Sequence, residues 1–145
     1  MKFHDLVQSF ARELGMEEAA PLESGEYEFV FDDVLEVRLL DQGGGALVAY
    51  GLLGKLPEDD EERREKLLLA LKGELGPWGA PARKVLSLDE NDHRFFVYQK
   101  VDYSRLDASD FVGVMDAFVN DLESWSGYLG QSVRSSRVPP AFVFP

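Results

Sequence analysis

The residues able to do chemistry are few and poorly arranged for it. A nucleophilic triad needs a base beside an activated hydroxyl or thiol. The chain has two histidines, His4 and His93, and no cysteine. His4 opens a helical pattern and His93 follows the turn residues Asp89-Glu90-Asn91-Asp92. Neither lies in a nucleophile pattern, and both read as surface histidines. The missing cysteine removes thiol catalysis, zinc–thiolate sites and disulfides together. Ser126 has Ser124 two residues upstream, where a nucleophile elbow needs glycine. Gly51-Leu52-Leu53-Gly54-Lys55-Leu56 fails as a phosphate loop. Ala49 stands where the first glycine belongs, and Leu56 where serine or threonine would hold magnesium. The acidic run Glu58-Asp59-Asp60-Glu61-Glu62 has the donor type for a hard cation. It also opens a helical pattern, where the helix dipole favours negative charge. Arg63, Arg64 and Lys66 follow Asp59, Asp60 and Glu62 by four residues, the spacing of stabilising ion pairs. Helix electrostatics accounts for the run, so no catalytic, cofactor or metal site is expected.

Charge narrows the partners. Fifteen basic and 27 acidic residues leave a net charge of −12. Nucleic-acid affinity comes largely from lysine and arginine neutralising phosphates, and the chain has no basic run. Anionic membrane surfaces are disfavoured for the same reason. No apolar stretch approaches the roughly 18 residues of a membrane span, and Met1-Lys2-Phe3-His4-Asp5 does not begin a signal peptide. The absence of cysteine fits a reducing compartment. High net charge keeps a protein soluble while it presents apolar surface, a combination suited to holding a sticky partner.

The pattern that organises the chain runs from Asp107 to Leu129. Phe111, Met115, Phe118, Leu122, Trp125 and Leu129 recur at steps of four and three, the stripe of an amphipathic helix. Asp107 and Asp110 have the spacing of a capping box, and Gly127 and Gly130 are stop signals. A first helix is expected over Lys2–Leu14, with Phe3, Leu6, Val7, Phe10 and Leu14 on one side and Gly15 ending it. Glu17 to Gly25 reads as a loop. Glu26 to Leu53 reads as a three-strand meander, with turns at Asp32-Asp33 and Asp41–Gly45. Pro57 to Leu75 is the second helix. Its segment Leu67-Leu68-Leu69-Ala70-Leu71 is apolar on every side, so one cover is not enough. Gly76 to Pro81 breaks the chain. Lys84–Leu88 and Arg94–Val101 form a second hairpin, in which Phe95-Phe96-Val97-Tyr98 puts large groups on both faces. Residues 131–145, with Pro139-Pro140 and the apolar Ala141-Phe142-Val143-Phe144, lack periodicity and are expected extended or disordered.

A chain of 145 residues reads as one domain over 1–130 followed by that tail, and it is long enough to bury roughly 70% of its unfolded surface. The expected fold is α+β: a twisted, mostly antiparallel five-stranded sheet flanked by three helices, in the order α-β-β-β-α-β-β-α.

Several short segments, taken in order, resemble the class I type III secretion chaperones of the Tir-chaperone kind. They are Phe10-Ala11-Arg12-Glu13-Leu14-Gly15, Leu53-Gly54-Lys55-Leu56-Pro57 before the acidic helix start, Leu67-Leu68-Leu69-Ala70-Leu71, Leu86-Ser87-Leu88-Asp89-Glu90, and Phe118-Val119-Asn120-Asp121-Leu122-Glu123-Ser124-Trp125. The resemblance covers about residues 3 to 129. Lys72-Gly73 departs from it, where the family often has asparagine, as does the proline-ended tail. The resemblance implies a non-enzymatic, bacterial cytoplasmic homodimer formed largely through the second helix. It implies a partner, the N-terminal segment of a secreted effector, wound round the chaperone in extended form. It implies that no ATP is used; no cofactor is expected, and the charge and hydropathy read above leave out nucleic acid and membrane. An alternative on the same fold is a regulatory partner-switch protein that sequesters an antiactivator of secretion genes. The residues expected at the partner surface are Phe3, Leu6, Val7, Phe10, Phe95, Phe96 and Tyr98. Those expected at the dimer interface are Leu67, Leu68 and Leu71.

Overall fold

A computed structural model describes residues 2–74 and 84–130. The break at Gly76–Pro81 and the tail 131–145 lie outside the described residues. The elements are α1 (Phe3–Glu13), β1 (Tyr27–Phe31), β2 (Leu35–Gly43), β3 (Ala46–Lys55), α2 (Asp60–Glu74), β4 (Lys84–Asp89), β5 (Arg94–Asp102) and α3 (Ala108–Leu129). The expected order α-β-β-β-α-β-β-α is the observed one.

All strand pairs are antiparallel, and the sheet order is β1-β2-β3-β5-β4. β1 and β4 are therefore its edges. Alternation sorts the strand residues onto two faces. Register places Phe29, Val37, Gly51, Val97 and Leu86 in one row across all five strands. The amphipathic helices α1 and α3 cover that face. From α1 come Leu6, Val7, Phe10 and Ala11; from α3 come Phe111, Met115, Phe118, Leu122 and Leu129, all buried. Phe10 ties the layers together, with its ring edge-on to Phe29 at 5.1 Å and to Phe111 at 5.5 Å. Such aromatic pairs add about 1 kcal/mol beyond area burial.

Helix starts follow the sequence signals. Asp107 accepts from the Asp110 N–H at 2.7 Å, and Asp110 accepts from the Asp107 N–H at 3.2 Å, completing the capping box of α3. α2 begins at Asp60 rather than at Pro57 because Asp59 supplies the cap, accepting the Glu62 N–H at 3.0 Å. β2 runs into the expected turn at Asp41–Gly45 and ends at Gly43. A register shift between Asp41 and Gly43 takes up the odd residue, and Gly43, Gly44 and Gly45 all have positive φ. Gly45 also has no room for a side chain, since a β-carbon there would lie 2.9 Å from that of Ser104.

Candidate partner-binding surface

The loop after α1 is held in place by one buried amide. The Gln8 side chain donates to the Ala19 carbonyl at 2.6 Å and accepts from the Ala19 N–H at 3.0 Å. Both polar ends of a buried glutamine are thereby satisfied, and the loop is pinned along the helix. Farther on, the Leu22 N–H donates to the Glu26 carbonyl at 2.7 Å and the Gly25 N–H to the Leu22 carbonyl at 2.9 Å. The pinned loop leaves Leu14, Met16 and Leu22 exposed. Beside it, among the described residues, β1 is bonded to β2 alone. Val30 projects to the sheet face opposite Phe29 and is 53% exposed. Asp32 and Asp33, both in the left-handed region at φ 53° and 61°, turn the chain so that Val34 stands 70% exposed. An edge strand with apolar side chains nearby is a template for an added extended segment.

The sheet face turned away from α1 and α3 changes character from β1 to β4. In one row, Glu28, Arg38, Tyr50, Tyr98 and Val85 lie side by side; in the next are Val30, Glu36, Leu52, Phe96 and Ser87. Arg38 pairs with Glu28 at 2.8 Å, and that hydrogen bond is the main cause of its raised pKa. Burial, helped by a hydrogen bond to Glu26, pushes the Tyr50 phenol up to about 12. Phe96 packs edge-on to Tyr50 at 6.5 Å and tilted on Tyr98 at 6.0 Å. This aromatic strip is half-buried.

The third apolar surface is on α2. Its inner side is tied to the end of α3. The Tyr128 hydroxyl donates to the Leu69 carbonyl at 2.8 Å, Lys66 Nζ donates to the Leu129 carbonyl, and Ala70 is buried. Burial lowers the pKa of Lys66. Leu67, Leu68 and Leu71 face outward, the last two 50% and 53% exposed.

The side chains expected to meet a partner divide between surface and core. Leu6, Val7, Phe10 and Phe95 are sealed inside, where they hold α1 to the sheet. Phe3 is half-buried, edge-on to Tyr27 at 5.7 Å. Phe96 and Tyr98 are together on the opposite sheet face. Leu67, Leu68 and Leu71 are exposed together on α2. Sequence reasoning missed Leu14, Met16, Leu22 and Val34 as surface groups. The available signal was position: Met16 and Leu22 lie in a loop with no periodic partner, and Val34 breaks the alternation next to Leu35. Of the histidines, His4 Nδ1 is 2.7 Å from the Tyr27 hydroxyl. Among the described residues, no group of three His, Asp or Glu side chains is placed to hold a metal ion. No helix of the described residues is long and apolar enough to cross a membrane.

Comparison with known proteins identifies this architecture. No curated relative matches the sequence. Among solved structures, the chain is similar to one in the HopA1–SchA chaperone–effector complex, at 23% identity and a TM-score of 0.62, covering 86% of this chain and 93% of that one. It is similar to one in the complex of the Yersinia pestis type III secretion chaperone SycH with a stable fragment of YscM2, at 20% identity and a TM-score of 0.59, covering 85% and 98%. It is also similar to one in the ExsC–ExsE complex, at 18% identity and a TM-score of 0.61, covering 87% and 92%. At these identities the likeness establishes the fold. Residues 5–126 match the model of the Tir chaperone protein (CesT) family. With most of its length inside that match, the chain belongs to the Tir chaperone protein (CesT) family, the type III secretion chaperones, which are not enzymes.

Proposed function

We propose that this protein is a bacterial cytoplasmic chaperone that binds the N-terminal segment of a type III secretion effector in extended form. Binding keeps the effector soluble and ready for secretion. The observation that carries the proposal is the set of exposed apolar side chains Leu14, Met16, Leu22, Val30 and Val34, on the loop before β1, on β1 itself and on the turn after it, together with the edge position of β1 among the described residues. An extended segment docked there gains backbone hydrogen bonds along β1 and buries alternate side chains on the exposed leucines, valines and methionine. Ordering a flexible chain costs about 1–2 kcal/mol per residue, so several separated anchors are needed. The sealed residues Leu6, Val7, Phe10 and Phe95 serve the site by holding α1 and the sheet rigid behind it.

The working unit is a homodimer. Leu67, Leu68 and Leu71 on α2 supply its contact, and the half-buried Phe96 and Tyr98 extend the apolar surface on the other side of the sheet. Large apolar side chains exposed together on one helix mark an interface.

Co-expression with N-terminal fragments of secreted proteins encoded beside it tests the proposal. A fragment should co-elute with the chaperone and be protected from protease over a stretch lacking regular structure. Co-elution of a regulator of secretion genes, with no effector bound under any condition, would favour the partner-switch alternative. The absence of any partner, with the protein eluting alone, would sink both.

A further inference from the structure

Between Glu13 and Glu36 the chain carries nine carboxylates and neither lysine nor arginine. The same stretch holds five of the eight large apolar side chains exposed among the described residues: Leu14, Met16, Leu22, Val30 and Val34. Glu26 and Glu28 are engaged by Arg38, and Glu36 by Arg94. Glu13, Glu17, Glu18, Glu23, Asp32 and Asp33 are exposed and in no ion pair among the described residues. The other exposed apolar group is set differently, since Arg63, Arg64, Lys66 and Lys72 share α2 with the acids around Leu67, Leu68 and Leu71. One apolar surface therefore lies in mixed charge, as a self-contact tolerates; the other lies in a stretch whose unpaired charges are all negative, with Arg12 just before it and Arg38 and Arg94 already engaged by Glu26, Glu28 and Glu36.

Resting on the effector-binding proposal above, we propose that the β1-edge surface selects its ligand by charge. Its occupant is an extended apolar segment of the secreted partner, flanked by lysine or arginine. The apolar side chains supply affinity at Leu22, Val30 and their neighbours. The bordering carboxylates attract the flanking cations and repel acidic segments of equal hydrophobicity. With a net charge of −12, the field of the whole molecule adds long-range steering toward the same class of ligand. Discrimination of this kind rejects most unfolded acidic chains without a tailored pocket. The chain's own Arg134 to Phe144 has the same chemistry, two arginines and an apolar run without an acid, and is the competing occupant.

The test uses the full chain and two synthetic peptides of about 15 residues, enough to span a strand and both flanks. They share valine, leucine and phenylalanine at alternate positions; one carries lysine and arginine between them, the other glutamate. Calorimetry at about 50 mM salt should show the basic peptide binding at least about tenfold tighter, with the gap closing at about 500 mM as screening sets in. The exposed pair Glu17→Lys and Glu23→Lys should narrow the gap at low salt, and Val30→Asp should weaken both peptides. Equal binding of the two peptides at low salt, still lost in Val30→Asp, would overturn charge selection and leave the β1-edge surface standing as a binding site. Binding of neither peptide, or binding indifferent to Val30→Asp, would overturn the β1-edge site itself. A gain in affinity for both peptides in Arg134→Glu/Arg137→Glu, against the added negative charge in the acidic peptide's case, would give the surface to the chain's own segment and overturn its assignment to an outside partner.

Discussion

A β-carbon added at Gly51 would lie 2.5 Å from both δ-carbons of Leu122. Gly51 is in the centre of β3, between Val37 and Val97, and Leu122 is fully buried on α3. The third helix therefore approaches the sheet at the one central position that has no side chain. Gly51→Ala forces Leu122 and its helix outward in a packed interior, which costs about 1–3 kcal/mol. The denaturant midpoint should fall accordingly, with an unchanged slope. An unaltered midpoint would mean that α3 has slack at this crossing.

Core and surface are separable by mutation. Phe10 contacts Phe29 and Phe111 and is buried, so Phe10→Ala should destabilise the fold by about 3–5 kcal/mol. Val30→Asp at the exposed β1 edge should change stability by less than about 1 kcal/mol while reducing partner capture at least about tenfold. Parallel unfolding and pull-down measurements check the pair. The division between core and surface fails if Phe10→Ala leaves stability intact or Val30→Asp unfolds the protein.

The α2 leucines give a concentration-dependent signature. Leu68→Asp or Leu71→Asp places a charge where the dimer needs an apolar contact, and burying it unpaired costs several kcal/mol. Light scattering at micromolar concentration should change from dimer to monomer while circular dichroism stays that of the folded chain. Retention of the dimer in both variants would move the interface off α2.

Alkaline titration has a defined sign. The Tyr50 phenol is raised from its ordinary value of 10.0 to about 12, by burial first and by Glu26 second. Above the unfolded pKa, the unfolded chain has released this proton and the native chain retains it, so stability falls with rising pH. The contribution is fully present below pH 10 and is lost as pH rises toward about 12. Other groups titrate in this range, and the raised phenols of Tyr103 and Tyr128 lose stability there in the same direction. The check is therefore the difference between the parent and Tyr50→Phe, measured by denaturant unfolding at pH steps across that interval. That difference should shrink as pH climbs. A constant difference would show that the Tyr50 proton is not linked to folding.

Particular residues show how much of the fold and of the surface the sequence carried. Phe111, Met115, Phe118, Leu122 and Leu129 stood out as a helical stripe, and all are buried. The capping box Asp107–Asp110 was legible because it depends on neighbours three residues apart. Trp125 belongs to the same stripe but is only half-buried, packed edge-on to Tyr128 at 5.8 Å, because α3 has reached α2 there and has left the sheet's centre. The spacing of Phe3, Leu6, Val7 and Phe10 shows an amphipathic first helix but leaves open what covers its stripe. In the folded chain Leu6, Val7 and Phe10 face the sheet. Periodicity says that one side of a helix leaves water; it does not say whether the cover is the same chain or another.

The sequence by itself determined the order of the elements, their period, their caps and the acidity of the chain, because each of these depends on residues close together along the backbone. Tertiary structure alone decided which apolar groups remained for a partner. Strand order made β1 an edge, the Gln8–Ala19 clamp turned Met16 and Leu22 outward, and the crossing at Gly51 fixed where α3 lies. Exposure is a relation between distant segments. It is set by what packs where, after local preferences have already been met.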